Sequence, residues 1–158
     1  MSQFLNDSLS KQIERGEVFY ASYFSTYPTG GSPSYHRITT GASLAHMVMS
    51  IETLTQAKVS LREEVTPPGF TGLLQGISNL NLDSSNTTSV EVRADSNLGV
   101  VDPAAFEQEL PPGKTPAVSP FNENSGVILK ANTTYVVYFS NEGPRDSLFS
   151  FNWFFREL

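Results

Sequence analysis

The clearest pattern of apolar and polar positions lies at the C-terminal end. In residues 147–158, Phe149, Phe151, Trp153 and Phe155 fall on one face and Ser150, Asn152 and Arg156 on the other, with Phe154 breaking the polar side. Period two is the mark of a strand with one covered face. Each of the four aromatics would bury about 150–250 Å² there. Residues 133–140 are β-branched and aromatic nearly throughout, and Asn141-Glu142-Gly143-Pro144 is placed to reverse the chain between the two runs. Residues 127–130 begin another strand, ended by a turn at Ala131-Asn132.

The same periodicity runs upstream. Residues 17–27 carry Phe19, Tyr20, Tyr23, Phe24 and Tyr27, and Pro28, Gly30, Gly31 and Pro33 end them. A short strand is predicted over 35–40. Residues 44–51 are apolar on both faces, Leu44, His46 and Val48 against Met47, Met49 and Ile51, which predicts a central strand or an inner strand under a second layer. In 58–65, Val59, Leu61 and Val65 share a face, and Glu63 falls in the same register. Residues 89–95 place Val90, Val92 and Ala94 inward and Glu91, Arg93 and Asp95 outward. Five prolines between 103 and 120 exclude a central strand from the long stretch 96–125, though not a short edge strand near Phe106. Only residues 4–15 have helical spacing, with Phe4, Leu5, Leu9 and Ile13 on one stripe and Gly16 as the stop. That stripe docks either on its own domain or on a partner subunit. The pattern predicts an all-β antiparallel sandwich, residues 17–158, behind an N-terminal helical arm, residues 1–16.

Composition narrows the picture. A chain of 158 residues is expected to be one domain. It has no cysteine, which removes disulfides, thiolate metal sites and a thiol nucleophile. Charged residues are 16% and the net charge is −6, an unfavourable balance for nucleic acid or an anionic membrane. No run approaches the roughly 20 apolar residues of a membrane span. Met1-Ser2-Gln3-Phe4 lacks the basic and apolar regions of a secretory signal, so synthesis in the cytoplasm is expected.

Catalytic patterns are scarce. There is no phosphate-binding glycine loop and no G-x-S-x-G elbow. His36 and His46 lie on different predicted strands and could meet around a zinc ion with one carboxylate; otherwise His36 is exposed and His46 half-buried on its strand. Glu63 and Glu64 are adjacent, so on a strand they point to opposite faces and cannot act together. Glu63 itself is turned outward by a bulge at Arg62-Glu63, buried against backbone amides or an arginine, or, third in order, catalytic. No enzyme, metal or cofactor is expected. Asn6, Asn86 and Asn132 each head a glycosylation triplet, a pattern frequent by chance in a chain rich in Asn, Ser and Thr.

Gly126-Val127-Ile128-Leu129-Lys130-Ala131-Asn132-Thr133-Thr134-Tyr135-Val136-Val137 resembles a motif of small structural proteins of tailed bacteriophages. In them a similar strand is followed by a short Asn/Gly turn, here Asn141-Glu142-Gly143, and an aromatic strand, here Phe151-Asn152-Trp153-Phe154. Gly16-Glu17-Val18-Phe19, Leu61-Arg62-Glu63-Glu64 and Asn79-Leu80-Asn81 are similar to upstream elements of the group, without the Arg that often follows the last. The resemblance implies a jelly-roll-like fold and a head decoration or cement protein on the capsid surface of the virion. The partners it implies are the major capsid protein and further copies of the chain, a trimer being favoured. The helix 4–15 and the arm 99–125 are then expected to make the contacts, through Phe4, Leu5, Leu9, Ile13, Phe106 and Phe121. The alternatives are a tail, baseplate or receptor-binding module with a glycan-binding surface, an enzyme, or an unrelated β-sandwich binding domain.

Overall fold

The computed structural model describes residues 10–30, 34–66, 73–95, 100–101, 106–110 and 126–158. The strands are β1 (Phe19–Tyr27), β2 (Ser34–Thr39), β3 (Ala45–Thr53), β4 (Ala57–Thr66), β5 (Leu73–Leu74), β6 (Ser78–Asn79), β7 (Glu91–Asp95), β8 (Val100–Val101), β9 (Phe106–Leu110), β10 (Val127–Leu129), β11 (Thr134–Asn141) and β12 (Ser147–Glu157). They form a five-stranded sheet, β10-β3-β12-β1-β6, and a seven-stranded sheet, β5-β7-β2-β11-β4-β8, in which β9 also pairs with β4. All pairings are antiparallel.

Two sets of four strands carry the fold. One reads β1-β12-β3-β10 and the other β2-β11-β4-β9, so the chain crosses between sheets at every step from β1 to β4 and from β9 to β12. That alternation is a jelly roll. Strands β5 to β8 are inserted between its fourth and fifth members. Alternation across sheets explains the sequence pattern: each strand covers one face against the opposite sheet and leaves the other outward.

The core fills the space between the sheets. Phe149, Phe151, Trp153 and Phe155 are fully buried, facing Ile38, Val59, Leu61, Val137 and Phe139 of the other sheet. Phe139 meets Phe149 edge-on with ring centroids 4.3 Å apart. β3 lies between β12 and β10, as its apolarity on both faces predicts, and turns Met47, Met49 and Ile51 inward. β8 and β9 fall within the stretch expected to be irregular, and β9 is the short edge strand near Phe106.

The helix occupies residues 10–14 of the described chain. Gly16, at φ 70, donates to the Ile13 carbonyl and Glu17 donates to that of Gln12, a Schellman close. The carbonyls left over at its end are taken by three asparagines of the 79–86 loop. Asn81 donates to Glu14 O at 2.7 Å, Asn79 to Gly16 O at 2.9 Å and Asn86 to Arg15 O at 3.1 Å.

Two sequence expectations change here. His36 is 1% exposed, not a surface residue, because Ile38 sets the inward frame of β2 and His36 shares it. Its ring packs on Phe151 and Trp153 at centroid distances of 4.4 and 5.2 Å. Neither ring nitrogen has a hydrogen-bond partner among the described residues, and burial pushes the imidazole down to about pKa 3, so it stays neutral. The bulge considered at Arg62-Glu63 is also absent: β4 pairs with β11 without interruption through Glu63, and the register shift falls later, between Glu64 and Thr66 against β8.

Candidate interaction surface

The two sheets present very different outward faces. On the β2-β11-β4 face, Arg93, Arg37, Val136 and Arg62 stand in one lateral row across β7, β2, β11 and β4. Arg37 and Glu64 form a two-pronged ion pair, Nε to Oε1 at 2.7 Å and Nη2 to Oε2 at 2.9 Å, with both side chains fully buried. Val136 and Ser60 beside them are buried too. Arg62 lies over the Tyr138 ring at 5.9 Å and donates to Ser60 Oγ at 3.2 Å. The chain thus closes this face with its own groups.

The pair of glutamates separates as alternation requires. Glu63 points with Leu61 toward the core side and reaches Lys130 Nζ at 2.7 Å near the rim. The buried glutamate held by an arginine is its neighbour, Glu64. Period two placed the two acids on opposite faces; the outward one is buried together with Arg37, which stands on β2 with β11 between them.

The outward face of β1-β12-β3-β10 is open. Its lateral rows read Thr26-Leu148, Phe24-Ser150-Glu52, Ser22-Asn152-Ser50, Tyr20-Phe154-Val48 and Arg156-His46-Ile128. Among the described residues of these rows, Glu52 is the one charged side chain classed as exposed. Arg156 leans on Glu17 at 3.5 Å, and the Tyr20 hydroxyl donates to Asn152 Oδ1 at 2.7 Å. Apolar groups stand out at one end: Phe24 is 71% exposed, Leu54 61% and Leu148 56%. Ile128, Leu44 and Leu158 are exposed at the other. A solvated sheet face usually carries lysine and glutamate; this one carries hydroxyls, an amide and apolar side chains, so little charge has to be desolvated when it is covered.

Among the described residues a shallow cleft of about 350 Å³ lies beside the helix clamp, lined by Leu74, Gln75, Ile77, Asn86, Thr88 and Glu91 among others. Among the described residues no group of three His, Cys, Asp or Glu side chains could hold a metal ion. The two histidines do not meet: His36 lies in the core and His46 on the outward side of β3.

The residues expected to make contacts are placed unevenly. Phe4, Leu5, Leu9 and Phe121 lie outside the described residues, as does the side chain of Phe106, whose backbone pairs with Leu61. Ile13 is half-buried on the helix. Sequence reasoning passed over the open face because its outward residues mix hydroxyls, an amide and apolar side chains, unremarkable one strand at a time. Only the register of four strands assembles them into a surface.

The 126–137 segment is a corner of the fold. Gly126 sits at φ 50, and a Cβ there would collide with His46 Nε2 and come 2.8 Å from Met47 O. Asn132, also at φ 50, donates its N–H to Gly41 O at 2.7 Å. Tyr135 Oη accepts from Lys130 N at 2.9 Å, and Thr40 Oγ1 donates to Lys130 O at 2.6 Å. These residues join β10 to β11 by internal bonds. Comparison with family models, curated proteins and solved structures finds no match.

Proposed function

We propose that this chain is a bacteriophage virion structural protein, a capsid decoration or cement protein that binds the outside of the head and stabilises its coat subunits. The observation that carries the reading is the open, nearly uncharged outward face of β1-β12-β3-β10. Such a face loses little on desolvation, since burying a hydroxyl or amide that regains a hydrogen bond costs far less than burying an unpaired charge. The jelly-roll topology and the resemblance of residues 126–158 to phage structural proteins support the same reading. An acidic chain is kept off a packaged genome by repulsion, which favours the outer surface of a shell.

The test is the number of copies per purified phage particle, measured against the major coat protein by quantitative mass spectrometry. On this reading there is of the order of one copy for every few coat subunits. A handful of copies per particle overturns it and directs attention to the tail or a unique vertex, with glycan binding as the next measurement.

A further inference from the structure

β1 is a regular nine-residue strand that pairs with β12 along its whole length. On its other side it pairs with β6 only at Phe19 and Tyr20. Beyond Tyr20, no strand of the described residues occupies that edge. The polarity of the edge follows from one bond: Leu80 N–H donates to Val18 O, so the backbone groups of the even-numbered residues point toward the β6 side. Ser22, Phe24 and Thr26 therefore present their N–H and C=O groups along the open edge, and each of these residues is exposed.

Exposed edges are normally blunted by lysine, proline, a bulge or a short strand. This one has none of these. Residues 18–27, VFYASYFSTY, contain no charge and no proline, and the pairing with β12 runs without a register shift.

We propose that β1 pairs with β1 of a second copy of this chain, antiparallel about a two-fold axis at Phe24. The edge is self-complementary about that residue. Phe24 meets Phe24, giving the 71% exposed ring an apolar partner. Ser22 of each copy meets Thr26 of the other, a hydroxyl pair on the same face. Tyr23 meets Ser25 on the face below. The three outward residues of each copy exchange about six backbone hydrogen bonds. An isologous contact brings every charge opposite a like charge if it lies near the axis, so a chain of net charge −6 needs an uncharged seam, and this strand is one. The joined sheets then form one continuous outward face, doubling the open surface. The pairing does not depend on the decoration reading, and the copy-number measurement does not test it.

Sedimentation velocity and hydrogen–deuterium exchange of the full chain at micromolar concentration test the proposal. A dimer is expected, with the amides of Ser22, Phe24 and Thr26 protected at least about tenfold over their rates on dilution to monomer. Phe24→Lys should give a monomer with unchanged circular dichroism and lose that protection. The protection of the unsubstituted chain stands as evidence even if the variant fails to fold. A monomer at tens of micromolar, a trimer of the kind the phage resemblance implies with these amides exchanging freely, or protection gained only on added phage heads would each overturn the second-copy pairing.

Discussion

The two outward faces of this sandwich are made from the same kind of strand, yet one is closed and the other open. At the middle of the β2-β11-β4 face a charge pair is internal: Glu64 neutralises Arg37 at 2.7 and 2.9 Å with no side-chain exposure. On the β1-β12-β3-β10 face, charge is nearly absent and the side chains reach solvent. Buried charges hold a face only when both partners are present, because the desolvation cost of each is met by the other. An uncharged exposed face costs the fold little and is free to bind. The first face is therefore expected to answer to substitution through stability, the second through association.

The largest effect should come from the closed face. Glu64→Ala leaves Arg37 buried without its carboxylate and should cost about 3–5 kcal/mol, read from urea unfolding. The double change Arg37→Met with Glu64→Leu should recover most of it. If Glu64→Ala costs less than about 1 kcal/mol, the face is more open than the geometry says.

Next is the core between the faces. His36 is held neutral with a pKa of about 3, below its ordinary 6.5. Between those values the unfolded chain binds the extra proton, so stability is full above pH 6.5 and falls as the pH drops toward 3, by up to about 1.4 kcal/mol per unit. His36→Phe keeps an aromatic ring against Phe151 and Trp153 and should flatten that part of the acid-denaturation curve. An unchanged slope in the variant would mean that other groups set it.

Smaller still is the helix clamp. Asn81→Ala or Asn86→Ala each removes a side-chain donor from a helix carbonyl, at about 0.5–1.5 kcal/mol by thermal unfolding. The smallest stability changes belong to the open face: Ser50→Lys and Leu148→Glu should shift stability by no more than about 0.5 kcal/mol. On the proposed function the same changes weaken attachment to phage heads at least about tenfold, measured by co-sedimentation. Full attachment with a charged Ser50 and Leu148 would remove this face from the contact.

The amino-acid sequence by itself determined the long strands, though not the two-residue ones. The run Phe149, Phe151, Trp153, Phe155 has a period that a helix cannot keep on one side, and the observed strand buries those four rings. Gly16 ends the helix and Asn132 makes the turn because few residues adopt positive φ cheaply. What tertiary structure alone decided is which outward face is covered. Period two assigns Glu64 and Ser50 the same status, outward and polar, yet Glu64 is buried against Arg37 from another strand while Ser50 stands in an open row beside Asn152. His36 reads as a surface residue until the frame of Ile38 carries it into the core. Alternation is a local property of the backbone, whereas burial is set by partners 27 residues away, as between Arg37 and Glu64, or 102 away along the chain, as between Ser50 and Asn152. No local pattern records those distances, because they are established only when strands distant in the chain are brought together within one sheet.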